Sequence, residues 1–171
     1  MWLLGFASRM HDPRLSDGGL RMTVTMKAFQ TPPEVVFSTI VEPSTYPQWL
    51  VGTKRIRHVS ADWPKLDSYF DHAVGVGPLA LPDRTTVRFF EPKSVLELKV
   101  RARPFIGAIV RFEVDETSEG CTVTMREDAV GKYRVIAALT QPLIKARNER
   151  SLSRLQTMLT TAATTTPNAK E

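Results

Sequence analysis

The chain is poor in the residues that build disulfide or metal scaffolds. One cysteine, Cys121, stands among 171 residues. That excludes an internal disulfide framework and any zinc site needing two thiolates. A reducing, cytoplasmic setting fits such usage. The three histidines, His11, His58 and His72, have no metal-ligand spacing, so neither metal nor cofactor is expected. No stretch approaches the roughly 20 apolar residues that span a bilayer. Trp2-Leu3-Leu4-Gly5-Phe6-Ala7 is apolar, but it is short for a signal-peptide core and no basic segment precedes it. Phosphate loops are absent. Gly75-Val76-Gly77 lacks the third glycine and the helix of a dinucleotide fingerprint. No Gly-x-Ser-x-Gly elbow occurs.

What is present is ordinary globular material: 42% apolar and 24% charged residues, in a length that suits one core. The net charge is +5, with the basic residues scattered. Nucleic acid is therefore not an expected partner. Two local groups, Lys54, Arg55 and Arg57 on one side and Lys145, Arg147 and Arg150 on the other, leave open an interaction module for an acidic or ribosomal partner.

Residues 1–21 lack periodicity and carry the turn signals His11-Asp12-Pro13 and Ser16-Asp17-Gly18-Gly19. Regular patterning begins at Met22. Either an irregular extension precedes it, or translation starts at Met22. From there to about 162 the chain reads as one unit, with 163–171 as a disordered tail. Residues 22–28 alternate apolar and polar, as a half-buried strand does. Thr31 and Glu34 frame a capping box around Pro32-Pro33, predicting a helix that carries Val35, Val36, Phe37 and Ile40. A short helix or turn follows over 44–50, with Tyr46, Pro47 and Trp49.

Six further strands are expected near 53–60, 67–76, 84–91, 94–103, 107–116 and 120–129. Breakers at Asp62-Trp63-Pro64, Gly77-Pro78, Glu91-Pro92, Arg103-Pro104 and Glu119-Gly120 separate them. Leu96, Leu98, Val100 and Ala102 share one face; so do Val110, Phe112 and Val114, and Val123, Met125 and Glu127. A sheet this one-sided needs a cover. The last helix, predicted over 138–162, supplies one through Ile144, Asn148, Leu152, Leu155 and Leu159. The fold class is thus α+β: a curved seven-stranded antiparallel sheet around a long C-terminal helix, with two short helices after the first strand.

That order, with Thr31 to Phe37, Pro43 to Trp49, Val74 to Leu79, Gly120 to Asp128 and Ala146-Arg147-Asn148-Glu149, resembles the START-like helix-grip (SRPBCC) superfamily, in its polyketide cyclase/dehydrase and lipid-transport branch. The resemblance covers about Met22 to Thr160. It implies a central cavity for a lipid, polyketide or aromatic metabolite. It carries over no catalytic motif, because the group has none in common.

Three polar residues fall on apolar faces: Glu127, His72 (with Phe70, Val74 and Val76) and Asn148. Each needs a partner, because an unpaired buried polar group costs a few kcal/mol. Converging, they would orient a hydroxyl or carbonyl, and His72 with Glu127 would form an acid/base pair for cyclisation or dehydration. Apart, Glu127 would be wet at the sheet's mouth, His72 would sit in a packed core, and Asn148 would tie the helix to a loop. The expected ligand-binding set is Trp49, His72, Val74, Phe89, Leu98, Val110, Phe112, Met125, Glu127, Ile144 and Asn148. Trp49 has a rival role as an anchor of the short helices, and Cys121 reads as a small packed hydrophobe.

Overall fold

The computed structural model describes residues 22–75, 78–102, 106–130 and 134–165. The expected extension 1–21, Val76-Gly77, the Arg103-Pro104 breaker and the tail from 166 onward lie outside the described residues. Seven antiparallel strands form one sheet: β1 (Thr23–Phe29), β2 (Thr53–Val59), β3 (Tyr69–Val74), β4 (Leu81–Glu91), β5 (Val95–Ala102), β6 (Ile106–Thr117) and β7 (Gly120–Val130). Their spatial order is β1-β7-β6-β5-β4-β3-β2. Helix α1 (Pro33–Val41), a 3-10 turn (Pro43–Thr45) and α2 (Tyr46–Trp49) connect β1 to β2, and α3 (Arg134–Thr165) closes the chain. This is the expected architecture.

From β2 to β7 each strand pairs with the next in the chain, while β1 pairs with β7 and the helical segment carries the chain across to β2. At the β6–β7 turn Gly120 adopts φ +141°, and a Cβ there would stand 2.2 Å from the Phe29 carbonyl oxygen. Only glycine fits. Leu96 and Leu98 from β5, Phe112 and Val114 from β6, and Val123 and Met125 from β7 are all buried, on the faces their alternation predicts. Leu152, Leu155 and Leu159 of α3 pack against them in the same core. The helix runs about 48 Å at 1.5 Å per residue. It extends to Thr165, three residues beyond the expected boundary, and Thr160, Thr161 and Thr164 each return a hydroxyl hydrogen bond to the carbonyl four residues back.

An aromatic cluster fixes the short helices to the sheet. Tyr46 meets Trp49 and Phe70 edge-on, each at 5.3 Å between ring centres, and Trp49 meets Phe112 at 5.9 Å. The Tyr46 hydroxyl donates to the Ile40 carbonyl at 2.7 Å, and Trp49 Nε1 donates to Thr45 Oγ1 at 3.0 Å. Such edge-to-face contacts add about 0.5–1.5 kcal/mol per pair beyond burial.

Two local expectations are corrected. The capping box does not form, because α1 begins one residue later, with Pro32 as its N-cap and no side-chain cap. Thr31 then lies outside the helix, and Glu34 falls one position short of where a capping-box glutamate reaches back. In β1 the strand is present but its face is inverted. Thr23 and Thr25 point inward, while Val24 and Met26 are exposed. Phe29, 2% exposed, sits opposite Cys121 in the core. With a period of two, that single large side chain sets the parity of the whole strand.

Candidate functional site

The concave side of the sheet is not filled. A cavity of about 200 Å³ lies between it, the segment Leu50 to Thr53 that leads into β2, and α3. Its walls are mostly apolar: Phe70 and Val74 from β3, Leu98 and Val100 from β5, Ala108, Val110 and Phe112 from β6, and Met125 from β7. Tyr46 closes one side. Burial pushes its phenol well above the ordinary value, with the Glu42 charge adding to the effect, so it stays a neutral donor committed to Ile40.

Polar side chains enter this space in two groups. In the first, Glu127 of β7 meets α3. Arg147 Nη2 donates to Glu127 Oε2 in a tight ion pair, and Asn148 Nδ2 donates to the same oxygen at 3.2 Å. Arg147 in turn donates to Asn148 Oδ1, from Nε at 3.3 Å and Nη2 at 3.1 Å. The three side chains close on one another and pin the helix to the last strand. One turn on, Ser151 Oγ accepts from the Val51 backbone N–H at 3.1 Å, which holds the loop under the helix.

The second group stands on β3 and β4. His72 and Asp83 occupy directly opposed positions, and both line the cavity together with Thr85. His72 Nε2 lies 3.1 Å from Thr85 Oγ1 and 3.5 Å from Asp83 Oδ2. The second distance is too long for a hydrogen bond of useful strength. His72 Nδ1 and both carboxyl oxygens of Asp83 are buried without a hydrogen-bond partner among the described residues.

Of the ligand-binding residues expected from sequence, His72, Val74, Leu98, Val110, Phe112, Met125 and Glu127 line the cavity. The others do not. Trp49 is fully buried among Tyr46 and Phe112, which is the anchoring role. Phe89 is 44% exposed, because a bulge after Val87 in the β4–β5 pairing turns it to the outer face. There it carries the Arg111 guanidinium 5.3 Å from its ring centre. Ile144 is half-buried and outside the lining, and Asn148 is buried behind Glu127. Neither does the expected trio converge: Asn148 joins Glu127, while His72 joins Asp83 and Thr85.

Sequence reasoning missed Asp83, Thr85 and Arg147. Strand β4 was expected over 84–91, which left Asp83 outside it. The strand starts at Leu81, and the inward series Asp83, Thr85, Val87 was legible as alternation. Arg147 read as a flank residue and as part of a basic surface group. It is instead committed to Glu127, which removes it from that group. His58 is exposed, its ring centre 5.8 Å from that of Tyr69. Cys121 is fully buried, and burial raises its thiol pKa, with the Glu34 charge adding to it. No group of three metal-ligating side chains occurs among the described residues. No described helix is long and apolar enough to cross a membrane.

A family model described as polyketide cyclase / dehydrase and lipid transport matches residues 20–160. Solved structures share the fold. A protein of unknown function from Staphylococcus aureus is 11% identical, with 84% of this chain and 96% of that one covered at a TM-score of 0.68. A Mesorhizobium loti protein is 17% identical, with 81% and 96% covered at 0.63. StfQ, a di-domain ARO/CYC of the steffimycin biosynthetic pathway, is 14% identical at 0.63. There 84% of this chain is covered and 52% of that one, so the match spans about half of StfQ. At these identities the likeness establishes the fold alone. No curated protein matches the chain.

Proposed function

The chain belongs to the polyketide cyclase / dehydrase and lipid transport family, and from that premise we propose that it binds one small, largely apolar molecule in the cavity between sheet and α3. The observation that carries this reading is the unfilled, apolar-walled space itself. A cavity near 150 Å³ in another protein accepts benzene, and drug-sized pockets start near 300 Å³. A volume of about 200 Å³ therefore suits a molecule of one or two rings, or a short acyl chain. Burying about 250 Å² of such a ligand contributes about 6 kcal/mol at 25 cal/mol per Å². Association costs at least about 4 kcal/mol in lost freedom. Apolar contact alone thus supports only weak binding, and the polar side chains in the wall must supply the rest.

The test is a thermal-shift screen of one- and two-ring aromatics and short lipids. A ligand at 100 times its Kd adds about 2.7 kcal/mol, which raises the melting temperature of a chain this size by about 5–10 °C. A flat response across the screen sinks the reading. So does an unchanged response after Leu98→Trp, which fills the space.

A second reading is cyclisation or dehydration of a polyketide-type substrate, with His72 and Glu127 as acid and base. Its support is the family description and the buried imidazole in the wall. Two observations weigh against it. Glu127 already holds Arg147 and Asn148, and a multi-ring polyketide exceeds the space. Turnover of a synthetic β-polyketone, lost in His72→Ala, would favour it over simple binding.

A further inference from the structure

Asp83 is the carboxylate in the cavity wall whose oxygens have no hydrogen-bond partner among the described residues. Its side chain is 1% exposed, and neither oxygen has a hydrogen-bond partner among the described residues. An ionised carboxylate offers about four acceptor positions and no donor. What it lacks is therefore a donor, and a buried acceptor left without one is strongly disfavoured. Its neighbours do not provide one. Thr85 Oγ1 lies beside His72 Nε2 at 3.1 Å, and His72 approaches Asp83 only to 3.5 Å. In either tautomer of that ring, Nδ1 remains unpaired as well.

These orphaned atoms are not spread through the core. His72 and Asp83 are cross-strand partners on β3 and β4, and both face the same cavity. The wall from Phe70 through Leu98 and Val110 to Phe112 is apolar. Besides Thr85 and Glu127, the other polar side chains in the lining are Tyr46, whose hydroxyl is committed to Ile40, Thr53 beside the loop, and Arg147, which is held by Glu127. The other carboxylate in the wall, Glu127, is already met by Arg147 and Asn148. A bound molecule therefore meets the buried, unpartnered atoms of the wall at the β3–β4 side, in His72 and Asp83.

We propose that the ligand of this cavity is a small one- or two-ring molecule bearing an O–H or N–H donor, and that Asp83 accepts that hydrogen bond and sets the specificity. The proposal rests on the cavity being a ligand site, as argued above. Acceptor-only molecules of the same size fit the space but leave Asp83 unmet. They bind more weakly by the worth of one hydrogen bond to a charged group, about 10- to 100-fold.

The experiment compares isosteric pairs by calorimetry or thermal shift on the full chain: indole against benzofuran, and 2-naphthol against 2-fluoronaphthalene. The donor-bearing member of each pair is expected to bind at least about 10-fold tighter. In Asp83→Asn, which keeps the size, the preference should fall to within about 3-fold, because the charged acceptor is gone. Asp83→Leu should abolish the preference, and the unliganded variant should melt higher than the parent. Equal binding within both pairs in the parent protein overturns the proposal and leaves the cavity reading standing; a bound water would then be supplying the donors. A preference that survives both substitutions overturns the role of Asp83. If no member of either pair binds, the cavity reading fails and this inference fails with it.

Discussion

Two carboxylates project into the same cavity from different strands of the same concave face, and the protein treats them oppositely. Glu127, on β7, is grasped from α3 by Arg147 and Asn148. Asp83, on β4, is more deeply enclosed and has no hydrogen-bond partner among the described residues, only the His72 ring nitrogen at 3.5 Å. The first is a brace between sheet and helix. The second contributes nothing to the fold that the described residues reveal, and a chain selected for stability alone would place an aliphatic residue there. Burial by itself therefore does not separate architecture from recognition; the state of the hydrogen-bond inventory does. The outer face supplies a third case. There Glu113 accepts from Arg111 and Arg126 at 2.8 and 2.9 Å, and Glu97 from Arg111 at 3.2 Å, a partnered ladder across β5, β6 and β7.

The sharpest way to break this contrast is to remove each carboxylate in turn and read the sign. Glu127→Leu should destabilise by about 2–3 kcal/mol, lowering the melting temperature by about 4–12 °C. The loss stays below the 3–5 kcal/mol typical of a fully buried pair because the Arg147 side chain is 40% exposed. Asp83→Leu should move the other way, by about 1 kcal/mol and 2–4 °C. Both values come from urea or thermal melts, and equal signs would erase the distinction.

A smaller effect belongs to the outer ladder. Burial alone would raise the Glu113 carboxyl, but the hydrogen bonds from Arg126 and Arg111 outweigh it and hold the pKa below the ordinary glutamate value. With the folded pKa depressed, its stabilisation is complete above the unfolded value and is lost as pH falls through the folded one. Denaturation followed through the acid range should show that loss, and Glu113→Gln should flatten it. The smallest effect is expected at the Arg84–Asp71 pair on the exposed outer face. There Arg84 donates in bidentate fashion at 2.7 and 3.0 Å. Its side chain is 51% exposed. Asp71→Asn should leave the melting temperature within experimental scatter at moderate salt.

Much of this was legible in the chain before the structure. Leu96 and Leu98, Phe112 and Val114, and Val123 and Met125 announced their faces by alternation, because a two-residue period leaves no other choice once one side is buried. What alternation does not encode is an interruption or an anchor. The bulge after Val87 sent Phe89 outward, and Phe29 overruled the apolar positions of β1. Partnership is harder still. His72 and Glu127 each read correctly as inward polar groups, but β3 and β7 stand four strands apart in the sheet order. At about 4.8 Å per strand that is about 19 Å of contour. Choosing Asp83 for one and Arg147 for the other depends on that distance, which no local pattern carries.

The long terminal helix divides its labour along its length. Leu152, Leu155 and Leu159 lock it into the interior, whereas the contact with the cavity comes earlier, at Arg147. Five residues separate the first of these anchors from that contact, an axial offset of about 7–8 Å. Both segments of the rod thus hold it to the sheet, and the choice of ligand resides on the strands. A designer, or natural drift, can rewrite what the chamber accepts from the strand side while the clasp that holds the helix to the sheet goes untouched.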